Sequence, residues 1–306
     1  MRRGLRGTRP MPTLDRITIY PVKSLDGVDV AAARVLPSGG LEHDRRWQLT
    51  DMDGRVLNAK RTPLFHAIRA EFDLGEGNVV HLSVDPLALE ARAIPGIDRA
   101  AALGPDSFPL VPGPAGPCDW FAEAFSQPVL LVERVDGGFP DDRDAAGPTL
   151  VSTATLEAVA GWFRFSVDEC RRRFRENLEI GGCEAFWEDA LASPARPLLQ
   201  PPLGELDAGL PADPYADPPP PEPRSFMIGD VRFQATNVCR RCVVPTRDSR
   251  TGTVTEQSRE VFEAWRRRTL PADVDASSWS HLYRLAVNTR SEVAGAVHVG
   301  AGIAAA

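Results

Sequence analysis

The chain has 306 residues, 43% apolar and 25% charged, ordinary for a soluble globular protein and enough for two domains with separate cores. A net charge of −7 excludes the basic face that nucleic acid requires, and no apolar run approaches the ~20 residues of a membrane span. Five scattered cysteines argue against a disulfide scaffold and for a reducing, cytoplasmic setting, and the basic first ten residues have no apolar segment behind them to make a secretory signal.

Glycine (25) and proline (28) are both frequent, which favours short strands and turns. Residues 15–22 alternate apolar and polar positions and predict a half-buried strand, with Lys23 and Ser24 at its end. Further strands are expected at 47–50, 55–58, 79–84 and 128–132, with Asp53-Gly54 as a hairpin signal. A helix is expected over 119–125, with Trp120, Phe121, Ala124 and Phe125 on one face. The polar stretch 136–147 suits a domain junction. Beyond it, Leu156, Val159, Ala160 and Phe163 keep helical spacing, with Ser152 or Thr153 as cap. Residues 194–224 hold eleven of the 28 prolines and read as an extended or disordered surface excursion. A strand over 227–236, a helix over 256–268 and late strands at 282–288 and 296–299 complete the reading.

The stretch Cys239-Arg240-Arg241-Cys242 follows the 227–236 strand and precedes a turn. Guanidinium groups beside a thiol favour its thiolate, the form that binds soft metals or attacks as a nucleophile. Four readings stand for this pair. Half a zinc knuckle needs a second Cys or His pair, and no His lies within thirty residues on either side. A thioredoxin-like pair would open a helix rather than follow a strand. Two inert core cysteines fit poorly with the arginines between them. The fourth reading is one cysteine acting as sole thiolate ligand to a metal carried by an organic cofactor, or as a sulfur-relay nucleophile.

Lys23-Ser24, Arg45-Arg46 and Arg175/Asn177 each stand at an edge between strand and turn, where Lys, Arg and Ser would suit a phosphate. Singly, each is more simply a solvated charge. His43 sits beside the arginine pair but reads first as a turn residue, and Glu188-Asp189 reads as a solvated edge.

Taken together, several motifs resemble one family. Tyr20-Pro-Val-Lys-Ser24 with Gly27, Gly40-Leu-Glu-His-Asp-Arg-Arg-Trp47, Thr149-Leu-Val-Ser-Thr-Ala-Thr-Leu156, Phe174-Arg-Glu-Asn177, Ile228-Gly-Asp230, Cys239 to Cys242, Asp248 with Thr251-Gly252, and Leu285-Ala-Val-Asn288 occur in order. Over about residues 12 to 300 they resemble the MOSC (molybdenum cofactor sulfurase C-terminal) proteins with an N-terminal MOSC_N domain, a group that includes the YcbX-type proteins and the mitochondrial amidoxime-reducing component. The resemblance implies a mainly β fold with some helices (α+β), in which a strand-rich MOSC_N domain (12–135) packs with a MOSC β-barrel domain (148–303) around a molybdenum–molybdopterin cofactor. It further implies that Cys242 is the protein's ligand to molybdenum and the catalytic centre, while Lys23, Ser24, Arg45, Arg175, Asn177 and Arg241 hold the pterin and its phosphate.

Glu176 stands where the family usually has Pro, placing a negative charge beside an expected phosphate contact. The 194–224 excursion lies where family members pass almost directly to Ile-Gly-Asp. The sequence shows neither a C-terminal ferredoxin module nor a pyridoxal-phosphate sulfurase domain. The expected activity is therefore reduction of N-hydroxylated compounds (hydroxylamines, amidoximes, N-hydroxylated bases), with electrons from a separate protein of ferredoxin, flavodoxin or cytochrome b5-like type. A molybdenum cofactor or sulfur carrier without turnover is the alternative, and a plain structural barrel is a third reading.

Overall fold

The computed structural model describes residues 11–75, 77–114, 116–142, 144–192, 224–272, 274–277, 279–291 and 293–305. The proline-rich excursion therefore lies outside the described residues, Arg224 excepted. The fold is mixed α+β and mainly strand. Among the described residues no helix is long and apolar enough to cross a membrane.

Its centre is an eight-stranded sheet in the order Ile303–Ala305, Ser225–Ile228, Val231–Arg240, Arg284–Arg290, Leu150–Ser152, Leu178–Gly181, Thr13–Ile19, Val28–Val30. The sheet curls strongly, because Thr13 bridges Gly302 and the amide of Ile303 donates to the carbonyl of Pro12 at 2.9 Å. The chain's first strand thus touches both ends of a sheet that, Val28–Val30 apart, is built otherwise from its second half. Leu14, Ile17, Leu178, Ile180, Phe226, Phe233 and Val287 fill the interior.

The 227–236 segment is a hairpin rather than one strand. Ser225–Ile228 turns at Gly229, whose φ is +56°, into Val231–Arg240. Glycine adopts that left-handed conformation at no steric cost, so alternation that looked continuous hides the turn. The longer second strand carries Cys239 inside the sheet and leaves Cys242 just beyond it.

Two three-stranded sheets belong to the first half: Val56–Leu57, Trp47–Thr50, Leu130–Glu133, and Ile68–Asp73, Val79–Val84, Asp106–Pro109. Asp51 accepts from the amides of Asp53 (2.9 Å) and Arg55 (2.8 Å), and Gly54 has φ +77°, which builds the expected turn. Trp47, Leu49, Phe65, Ile68, Leu82 and Phe121 form the core between these sheets and the helix Cys118–Phe125, which buries Trp120, Phe121 and Ala124.

Helices Thr153–Phe163, Val167–Phe174 and Ser258–Thr269 pack a third core with Leu156, Val159, Phe174, Phe262 and Leu285. Ser152 caps the first of them by accepting from the Thr155 amide at 3.1 Å. Glu188 and Asp189 are not a solvated edge. They are 0% and 1% exposed, and Asp189 pairs with Arg266 of Ser258–Thr269, itself fully buried with its guanidinium 4.2 Å from the Phe186 ring. The partner that permits their burial lies 77 residues along the chain, out of reach of local reading.

Candidate functional site

A cleft of about 870 Å³ opens where strand ends of the large sheet meet the loops of the first half. Lys23, Ser24, Arg45, Arg175, Asn177, Arg241 and Cys242 all line it, so the structure brings together every residue that the resemblance assigns to the cofactor, while Arg46 and His43 stay outside. Eleven Lys and Arg side chains line the cleft against five Asp and Glu, in a protein whose net charge is −7. Such a concentration of one sign in a concave site favours an anionic ligand.

Backbone geometry sets much of this lining. Ser24, Arg45 and Arg175 have φ of 77°, 49° and 63°, a conformation that costs a non-glycine residue of order 1 kcal/mol or more. Arg175 is the left-handed residue that ends helix Val167–Phe174, its amide donating to the carbonyl of Arg171 at 2.9 Å. The chain therefore turns sharply at the helix end and presents Arg175, Glu176 and Asn177 to the cleft in succession.

The candidates differ in how they are held. The Lys23 ammonium meets Asp141 (2.9 Å) and the carbonyl of Phe139 (3.0 Å). Ser24 Oγ accepts from the amide of Ala59 at 3.2 Å. Arg45 pairs with Asp44 (2.5 Å) and donates to Asn177 Oδ1 (3.2 Å). Asn177 is wholly engaged: its Oδ1 also accepts from Thr149, and its Nδ2 donates to Asp44 (2.9 Å) and the carbonyl of Thr18 (3.0 Å). Its side chain fixes Arg45 and Asp44 and has no donor left for a ligand. Arg241 pairs with Glu176 at 2.8 Å and donates to the carbonyls of Phe174 and Leu285. The glutamate that looked adverse from sequence is thus the counter-ion of a neighbouring arginine.

Arg175 is the exception. Its guanidinium lies 4.2 Å from the Tyr20 ring centre and meets no hydrogen-bond or ion-pair partner among the described residues. Burial, opposed by Tyr20 and reinforced by the nearby Arg45 charge, pulls its proton affinity below the usual arginine range. Asp26 and Asp141 are near enough to favour its charge but pair with other cations, so this half-buried guanidinium has its hydrogen-bond donors open to an anion entering the cleft. Burial also works against the charge of Asp141, but Lys23 and Arg45 outweigh it and keep the carboxyl below its usual range. Burial pushes the Glu176 carboxyl upward, with Arg241 opposing.

The two cysteines divide clearly. Cys239 is 4% exposed, burial pushes its thiol far up, and Sγ donates to Asn288 Oδ1 at 2.9 Å. Cys242 is a free, half-buried thiol at the cleft wall. Among the described residues no three His, Cys, Asp or Glu side chains converge on a metal position, which removes the donor set a zinc knuckle needs. One accessible sulfur in a cleft that also holds an unpaired guanidinium fits a metal that arrives on an anionic organic carrier.

His43 does not line the cleft; it stacks on Trp47 at 6.3 Å and touches Arg46, which pairs with Glu133. Sequence reasoning missed Lys60, His66, Arg69, Asp141, Arg173 and Arg247, all of which line it. His66 is 7% exposed, and burial with Arg247 and Arg175 nearby holds its imidazole neutral, pushed down to about 4. Arg247 lay inside the Cys242–Gly252 motif, Arg173 in the arginine-rich run 171–175 and Asp141 in the polar stretch 136–147; the others stand in segments with no pattern of their own.

Residues 11–128 match the family described as MOSC N-terminal beta barrel domain. The curated relatives include the molybdenum cofactor sulfurase of Drosophila melanogaster, 24% identical over 79% of this chain and 28% of that protein. They also include the molybdenum cofactor sulfurases of Drosophila grimshawi (26% identical, 81% of this chain, 30% of the relative) and Oryza sativa subsp. japonica (31% identical, 58% and 25%). The chain spans less than a third of the length of these relatives. Residues 11–128 thus carry the likeness to the MOSC N-terminal beta barrel domain, and the relatives that the chain resembles over most of its length are molybdenum cofactor sulfurases.

Proposed function

We propose that this chain is a cytoplasmic molybdenum–molybdopterin oxidoreductase that reduces N-hydroxylated compounds with electrons from a separate protein. The observation that carries the reading is Cys242, an accessible thiol in a cleft whose Arg175 guanidinium makes no ion pair or hydrogen bond among the described residues. Cys242 would supply the thiolate ligand, and Arg175 would take the pterin phosphate. Lys23, Arg45 and Arg241 surround it, each steadied by Asp141, Asp44 or Glu176. Ser24 would add a hydroxyl, and Asn177 would hold Arg45 in place. When bound, the molybdenum centre supplies two-electron chemistry that releases nitrogen-bound oxygen as water. The protein's part is ligation, charge compensation and an open pocket suited to substrates of varied shape.

The likeness to molybdenum cofactor sulfurases favours a second reading, a cofactor or sulfur carrier without turnover. Molybdenum and pterin analysis of protein from a cofactor-competent host, followed by assay with a hydroxylamine and a reduced viologen dye, separates the two. Bound cofactor with turnover supports the reductase. Bound cofactor without turnover supports the carrier, and a molybdenum-free preparation leaves a structural barrel.

A further inference from the structure

The cleft carries more positive charge than an anionic cofactor needs, and part of it faces outward. Lys60 and Arg240 line the cleft, one from each half of the chain, and both side chains are exposed. Among the described residues neither makes a hydrogen bond or ion pair through its charged group. Arg240 is two residues from Cys242, and on the other side Val243 immediately follows the cysteine with 43% exposure. Val243 is one of several exposed aliphatic side chains, but it is the one next to Cys242, and with the unpaired Arg240 before the thiol and Lys60 on the cleft lining it has the composition of an interaction patch.

We infer that Lys60, Arg240 and Val243 form the docking surface for an acidic electron-transfer protein at the mouth of the cleft. The inference rests on the reductase reading and deepens it. Reducing one N–OH group to N–H and water takes two electrons and two protons. The donor protein gives up the electrons and is oxidised accordingly, while solvent supplies the protons. Electrons reach a centre on Cys242 only from a donor close to that sulfur, and Val243 and Arg240 are the exposed residues nearest it in the chain. Complementary charge steers the encounter and makes it sensitive to salt, and an apolar contact then holds the pair. Lys60 and Arg240, free of internal partners, are available for that purpose in a way that Arg241, Lys23 and Arg45 are not.

The test uses the full chain and three acidic donors, a ferredoxin, a flavodoxin and a cytochrome b5 haem domain. Calorimetric binding and donor-driven turnover are compared for the parent, Lys60→Glu/Arg240→Glu and Val243→Asp. The parent is expected to bind at least one donor, more weakly as salt rises. The double variant should weaken that binding by about tenfold or more. Its molybdenum content and dye-driven rate should stay within about twofold of the parent. Parent protein that binds none of the three, or a double variant that binds as the parent does, overturns the proposal. So does a dye-driven rate or molybdenum content that falls together with donor binding, since the two cations would then serve the interior of the cleft. Absence of dye-driven turnover in the parent would instead defeat the reductase reading, while the binding titration still decides the surface.

Discussion

At the scale of single residues, Cys242 and Arg175 separate function from framework. Cys242→Ala removes the one accessible thiol of the cleft and is expected to abolish turnover. Cys239→Ala, acting on an inert thiol bonded to Asn288, should cost about 1 kcal/mol of stability and leave measurable activity. Equal hydroxylamine reduction by Cys242→Ala and the parent would end the assignment. Arg175 allows a cleaner dissociation, because its φ of 63° is a conformation that glycine adopts freely. Arg175→Gly relieves backbone strain while losing the contact over Tyr20, two effects of about 1 kcal/mol each and opposite sign. Thermal stability should therefore hardly move while molybdenum and pterin content fall severalfold. Undiminished cofactor in well-folded Arg175→Gly would show that this cation is not a phosphate contact.

At the scale of elements, helix Asp189–Ala192 is anchored by charges inside the protein. Glu188 is fully buried just before it, and burial, with the Asp189 carboxylate beside it, raises the Glu188 carboxyl well above its usual range. An acid whose proton is held more tightly in the folded state gives stability that is complete below its unfolded value, about 4.3. That stability is lost as pH rises through the raised folded-state value. Glu188→Gln has no proton to lose. Its melting temperature should match the parent below about pH 4 and exceed it increasingly as pH rises toward about 8, and parallel pH curves for the two proteins would refute this. The same elements mark what could be read in advance. Strands Trp47–Thr50 and Val79–Val84 were legible because each shows alternation bounded by turns. Leu178–Gly181 was not, since a run of four residues is too short to show a period, and its buried Glu179 is matched by Arg171 of the preceding helix only once the chain has folded. The site was legible by motif order alone. Its counter-ions Asp141, Asp44 and Glu176 were not seen in that role, because each pairing is made across the fold or at a turn.

At the scale of the whole molecule, the proposed division at 12–135 and 148–303 is crossed by the chain itself, since Thr13–Ile19 pairs with Leu178–Gly181. A second tie is ionic. Asp85 is 0% exposed and caps helix Pro86–Ala91 by accepting from the Leu87 amide at 2.9 Å. Its carboxylate also meets Arg250 at 2.6 Å and Arg69 at 3.6 Å, and Arg69 donates to the carbonyl of Ser249 at 3.2 Å. The loop 249–250 of the second half is thereby fastened to the first half beside the cleft. Two covalently continuous halves that share a sheet strand and a buried ion cluster should unfold together. Asp85→Asn retains the helix cap, because asparagine accepts the same amide bond, but it takes the buried anion from Arg250 and leaves Arg69 only Asp26, at 3.3 Å. Arg250 is 42% exposed and water partly compensates it, so the expected loss is about 2 kcal/mol rather than the 3–5 of a fully buried pair. Calorimetry should record one transition in the parent and one, at lower temperature, in Asp85→Asn. Two separately melting units in the parent would mean that the shared strand and the Asp85 cluster do not couple the halves, and that the cleft between them is free to open without unfolding either.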